Sequence, residues 1–239
     1  MRLNYSLFSL VALSAAAFVT PAMATSVTGT ATFSGNATVN NGGIFFNDTG
    51  ANVTNNFLPG SPNTLDFSGL SGGTIQNLVG SAMTGPVSIS DFATFNVAAG
   101  TIHFDLTDVA PGVGTAAGCA SATIGSICTP PNSPFTLIQA AGNAVSISLT
   151  LNGTAWINSP VGASSATGAF TTQDVVIGKI PTILATILAG GSVHDAYSAS
   201  FVATPVSPPP PGVPEPATLL LMGVGLLGAG VVARKKITK

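Results

Sequence analysis

The chain has 239 residues, of which 46% are hydrophobic and only 6% charged, with a formal net charge of −2. That near-neutral total hides an acidic interior. Between Thr25 and Thr204, seven aspartates (Asp48, Asp66, Asp91, Asp105, Asp108, Asp174, Asp195) face one cation, Lys179, a balance of 1 − 7 = −6. A body with one Lys and no Arg cannot neutralise a phosphate backbone, which excludes nucleic acid and, unless divalent cations bridge the Asp side chains, disfavours anionic lipid and strongly acidic polysaccharide.

At the N-terminus, Arg2 precedes an apolar run from Leu7 to Val19, and Ala22-Met23-Ala24 places small residues at alternate positions. This is the pattern of a secretory signal peptide over residues 1–24, cut by signal peptidase after Ala24. The alternative is an uncleaved anchor, which the short run and Pro21 argue against. The exported body then spans 25–204, one domain large enough to bury a core without metals.

Within the body, Thr28, Thr30 and Thr32 alternate with Gly29, Ala31 and Phe33, which predicts a half-buried strand over 25–35. Asn40-Asn41-Gly42-Gly43 predicts a hairpin into Ile44-Phe45-Phe46. Val87–Val97 and Thr101–Val109 form a second predicted pair around Ala98-Ala99-Gly100. Val145, Ile147, Leu149 and Leu151 alternate with Ser146, Ser148 and Thr150, and Asn152-Gly153 then predicts a tight turn with Thr154–Ile157 returning antiparallel. Further strands are expected at 166–172, 174–177 and 197–204. Ile180–Ala189, with Pro181 in its first turn and Gly190-Gly191 after it, reads as a helix or as a buried strand. Short strands with Gly- and Pro-rich connections predict an all-β fold, an antiparallel sandwich or jelly-roll-like body. No regular repeat is present, which argues against a solenoid.

Cys119 and Cys128 sit close together in a polar loop before Pro130-Pro131. In an oxidising, exported setting the pair reads as a disulfide, and the spacing offers no metal site.

The chemistry-bearing residues are few. His103 and Asp105 share a strand face and could assist a metal or acid–base step if His194 and Asp195 came close; the simpler reading is the wet face of an amphipathic strand. Asp105 and Asp108 offer oxygen ligands without the Gly and Glu of a calcium loop. The Asn-x-Thr triplets at Asn36, Asn47, Asn52 and Asn152 carry little weight in a chain this rich in Asn and Thr. No nucleophile elbow is present and the body has no Glu, so no catalytic residue, metal or cofactor is expected. Trp156, Tyr197 and Phe170 are candidate sugar platforms for a carbohydrate-binding module. The Thr28, Thr30, Thr32 row suggests ice binding only if later strands repeated it. A secreted hydrolase would need a concave cluster of aspartates.

Residues 205–212 are Pro-rich, a stiff extended spacer or a disordered linker. Then come Val213, Pro214, Glu215 and Pro216, an uncharged segment from Ala217 to Ala233, and Arg234, Lys235, Lys236 and Lys239. As a helix the uncharged segment would be about 25 Å long, just enough to span a bilayer, and the basic end would stay in the cytoplasm. The alternative is a plain retained anchor.

Residues 213–239 resemble the PEP-CTERM sorting tail of bacterial exported proteins, a type of tail also labelled as the C-terminal domain of ice-binding proteins. The resemblance implies recognition at Val213, Pro214, Glu215 and Pro216, removal by an exosortase, and an association with biofilm and exopolysaccharide. The expected route is Sec export, a transient membrane anchor, cleavage, and a resting place at the cell surface, outer envelope or extracellular matrix. The expected role is structural or adhesive and not enzymatic. The role of the 25–204 body, its ligand, the oligomeric state, the exact cleaved bond and whether calcium binds are left open by the sequence.

Overall fold

A computed structural model describes residues 26–46, 55–80, 84–172 and 176–206. The leader (1–24), most of the spacer and the whole tail lie outside them, as do Asn47, Asp48, Asn52 and Asp174. Among the described residues fourteen strands are formed: β1 (Gly29–Asn40), β2 (Gly43–Phe46), β3 (Asn55–Asn56), β4 (Leu58–Pro59), β5 (Gly72–Ile75), β6 (Leu78–Val79), β7 (Gly85–Val97), β8 (Gly100–Val109), β9 (Ile127–Cys128), β10 (Thr136–Ala140), β11 (Ala144–Ile157), β12 (Ser159–Thr172), β13 (Val176–Ile177) and β14 (Val193–Thr204). An α-helix, α1 (Ile180–Leu188), precedes β14.

Named strand pairings are all antiparallel, as alternation predicts, but they form one sheet and not the two of a sandwich. Its order is β3-β5-β7-β8-β11-β12-β14-β1-β2-β6. β5 pairs with β7 at one end and β6 pairs with β2 at the other, yet only Gln76 and Asn77 separate β5 from β6. An extended chain covers at most ~3.6 Å per residue, so three steps hold the two ends within about 11 Å. The chain makes the same crossing at Phe57, since β3 pairs with β5 and β4 with β1. The sheet therefore curls nearly to closure, and its one apolar face packs against itself.

The curl is filled with aromatic rings. Phe33 on β1, Phe95 on β7, Phe104 on β8 and Phe201 on β14 are all buried. Ring centroids of Phe33 and Phe95 are 5.7 Å apart, joining strands from opposite ends of the sheet, and those of Phe104 and Phe201 are 4.5 Å apart. Glycine makes room for this. Gly168 on β12 pairs with Phe201, and a Cβ at Gly168 would lie 2.6 Å from Phe201 Cζ. Gly35 is related to Tyr197 in the same way, with a Cβ 2.8 Å from its hydroxyl.

The expected turn at Asn152-Gly153 does not form. β11 runs straight through both residues, and the hairpin turns at Asn158, whose φ is +64°. Asn-Gly favours a turn through local φ preference, but here tertiary contacts prevail: Gly153 faces the Phe104 ring and Asn152 Nδ2 donates to Asp108 Oδ2 at 3.1 Å. The turns at Asn41-Gly42 and Ala98-Ala99 fall where local chemistry places them. So does α1, with Pro181 in its first turn and Gly190 at φ +81° beyond its end.

A second apolar cluster lies outside the curl, where α1 packs Ile180 and Ile183 with Leu137, Val145 and Cys128. Buried Gln139 ties this layer to the sheet, accepting the Ile180 N–H at Oε1 (3.0 Å) and donating from Nε2 to Ala144 O (2.9 Å). The expected Cys119–Cys128 disulfide is present, with a Cα–Cα distance of 4.7 Å, and secures the 116–128 segment to this cluster.

Candidate functional site

Exposed and half-buried polar side chains on the outer face of the curl converge at β7, β8 and β11. The alternation of β8 buries Ile102, Phe104 and Leu106 and turns His103 and Asp105 outward. Trp156 pairs with His103 across the β8–β11 junction, and the two rings stack with centroids 4.0 Å apart and planes 7° apart. Trp156 Nε1 donates to Asp105 Oδ2 at 2.8 Å. Asp91, held at φ +51°, donates its backbone N–H to Asp105 Oδ1 at 2.8 Å, and its own Oδ1 lies 2.6 Å from His103 Nδ1. A carboxylate can only accept, so Nδ1 carries the proton. Gln76 Nε2 donates to the Ser90 and Asp91 carbonyls and fixes the bulge that presents Asp91.

Every acceptor in this arrangement that touches a neighbour is used to hold strands together. Asp105 takes one bond on each oxygen and staples β7 to β11 across β8. Asp91 could be assigned to the group only with the fold in hand, because its reach depends on a positive φ that an Ile-Ser-Asp-Phe string does not announce.

The other expected site residues are not brought here. His194 lies on β14, with Nδ1 2.8 Å from Thr38 Oγ1 and Nε2 3.0 Å from Ser192 Oγ. β11 and β12 separate it from β8 in the sheet, so the His103/Asp105 and His194/Asp195 pairs do not form a common centre. No group of three or more His, Cys, Asp or Glu side chains among the described residues could hold a metal ion. Asp105 and Asp108 bond to separate partners, Trp156 and Asn152.

Of the sugar-platform candidates, Phe170 and Tyr197 are 4% and 5% exposed and belong to the core. Burial pushes the Tyr197 phenol above its ordinary value of 10.0. Trp156 is half-buried, with one face covered by His103. The Thr28, Thr30, Thr32 row is also engaged. Residues 60–66 lie along that edge of β1, where Asp66, Thr64 and Asn63 side-chain oxygens accept the three threonine N–H groups at 2.7, 3.0 and 2.7 Å. The Thr28 and Thr32 hydroxyls bond into the same segment. A flat array of free hydroxyls and methyls is absent from this row.

The strongest functional signal stays at the C-terminus. Among the described residues no helix is long and apolar enough to cross a membrane; the segment 217–233 lies outside them. Residues at the end of the chain define it as a protein with a C-terminal sorting signal. A family model, the PEP-CTERM protein-sorting motif, matches residues 212–236, and the chain carries that motif. It implies export, sorting to the cell surface and processing by an exosortase at that signal. No curated protein and no solved structure matches the chain.

Proposed function

We propose that the chain is an exported, non-enzymatic structural or adhesive protein of the cell surface or extracellular matrix, delivered by its tail. The observation that carries this reading is the sorting motif over 212–236, where Val213, Pro214, Glu215 and Pro216 precede the apolar segment 217–233 and the basic stop Arg234, Lys235, Lys236.

The register of the body supports it. Gly29 pairs with Ala203, so the leader and the tail join the domain at the same pole. The Pro-rich stretch 206–214 would reach about 25 Å at ~3.1 Å per residue in polyproline form, and as an extended spacer or a loose linker it separates the body from the bilayer while the tail is inserted. Signal peptidase acts after Ala24, the segment 217–233 anchors the chain transiently, and an exosortase cuts near Pro214–Pro216. Hydration of the released body then rests on Ser, Thr and Asn, a surface suited to neutral polysaccharide neighbours.

Intact mass and cell fractionation, in strains with and without the sorting protease, test the proposal. The mature chain should begin at Thr25 and lack Arg234–Lys239 only where the protease is present. Full-length chain dissolved in the cytosol, with both ends intact, would overturn it.

A further inference from the structure

The second apolar cluster does not close. Between α1, the 130–135 loop and the start of β14 lies a cavity of about 360 Å³. Its walls include Phe135, Leu137, Ile147, Leu184, Ile187 and Val193, and among the described residues its lining contains no Asp, Glu, Lys, Arg or His. Among the described residues the polar side chains there are Asn40, Asn41, Asn132 and Ser133, besides the disulfide-bonded Cys119.

We propose that this cavity binds a small, uncharged, predominantly aliphatic molecule, an acyl chain or branched hydrocarbon with a neutral polar end. Four observations point to that chemistry. The volume is about that of twelve waters at ~30 Å³ each, within the range of small-molecule sites. Waters against aliphatic walls have few partners, so their displacement favours an apolar occupant. An ion would be stripped of water with no opposite charge to meet it, which excludes charged ligands. Apart from those polar side chains and Gly80, the wall combines branched aliphatic side chains with Phe135 and the prolines at 130, 131 and 134, a lining suited to a flexible apolar chain.

The site is also preformed. Cys119 in its wall is fixed by the disulfide, and Ile180 and Ile183 anchor α1 while Leu188 at its end is 80% exposed at the rim. Val39 and Val193, which pair across β1 and β14, lie in the lining. Ala203, near the other end of β14, is up to about 33 Å along the strand at ~3.3 Å per residue. The cavity therefore lies by the start of β14, at the far end of that strand from Thr204.

The test uses full chain in phosphatidylcholine nanodiscs and a neutral aliphatic diazirine alcohol as photolabel, with the labelled peptides mapped by mass. Peptides covering 130–137 and 180–193 should label saturably, and excess decanol should compete. Ile187→Trp, which fills the cavity, and Leu188→Trp, at an exposed position the fold tolerates, should each reduce that labelling at least tenfold without changing labelling of 217–233. The carboxylate analogue of the probe should label these peptides at least tenfold less. Labelling that does not saturate, that survives both substitutions, or that is equal for the carboxylate would overturn the proposal.

Discussion

Replacing Gly168 with Ala tests whether the curl is closed by an aromatic ring lying over a bare backbone. The new Cβ would stand 2.6, 2.8 and 2.9 Å from Phe201 Cζ, Cε2 and Cε1. Non-bonded carbons prefer about 3.5–4.0 Å, so the ring must retreat by about 1 Å. It has nowhere to go: Phe201 is 1% exposed, with ring centroids of Phe104, Phe95 and Phe33 at 4.5, 5.3 and 5.6 Å. Overpacking of this kind costs about 1–3 kcal/mol, and loss of glycine's freedom in the unfolded chain returns about 0.4–1 kcal/mol. The expected net loss is about 1–2 kcal/mol, read by urea unfolding with Trp156, the only tryptophan in the chain, as the fluorophore. Combining it with Phe201→Leu should give less than the sum of the single losses, with a coupling of at least about 0.5 kcal/mol. A Gly168→Ala protein as stable as the parent, or strict additivity in the double variant, would refute the ring-over-glycine geometry.

Three other outcomes follow from named contacts. The buried Tyr197 hydroxyl has no hydrogen-bond partner among the described residues, so Tyr197→Phe should stabilise by about 1–2 kcal/mol in the same assay. Its raised folded-state value means that the unfolded chain loses the phenolic proton first, at the ordinary value of 10.0. Stability contributed there is intact below that pH and falls above it, by up to about 1.4 kcal/mol per pH unit, and Tyr197→Phe should flatten the alkaline limb. Replacing Cys119 and Cys128 by Ser opens a loop with a sequence separation of 9 and should cost about 2.5–3 kcal/mol by denaturation. Asp105→Ala leaves the Trp156 indole N–H and the Asp91 N–H without their acceptor, costing about 1–3 kcal/mol and shifting Trp156 emission; an unchanged spectrum and midpoint would remove the staple from the account.

Much of the strand pattern was legible because alternation is a local signal. Ala31 and Phe33, or Ile102, Phe104 and Leu106, are buried where period two places them. The two-residue strands at 55–56, 58–59 and 78–79 were not legible, since they have no room for a period and exist only because neighbouring strands offer free edges. The Asn152-Gly153 turn failed for a related reason: a local φ preference of a few tenths to one kcal/mol yields to a long ladder and to the Phe104 ring.

By itself the chain order carries the sorting motif over 212–236, a contiguous string legible without a fold around it. It likewise settles the antiparallel β class and the disulfide. Only the tertiary structure decides that one sheet curls on itself, that Asp91 joins His103, Asp105 and Trp156, and that α1 borders a cavity whose described lining is uncharged. Those features depend on residues tens of positions apart meeting across strands, and pairwise distance of that kind has no signature in the sequence spacing.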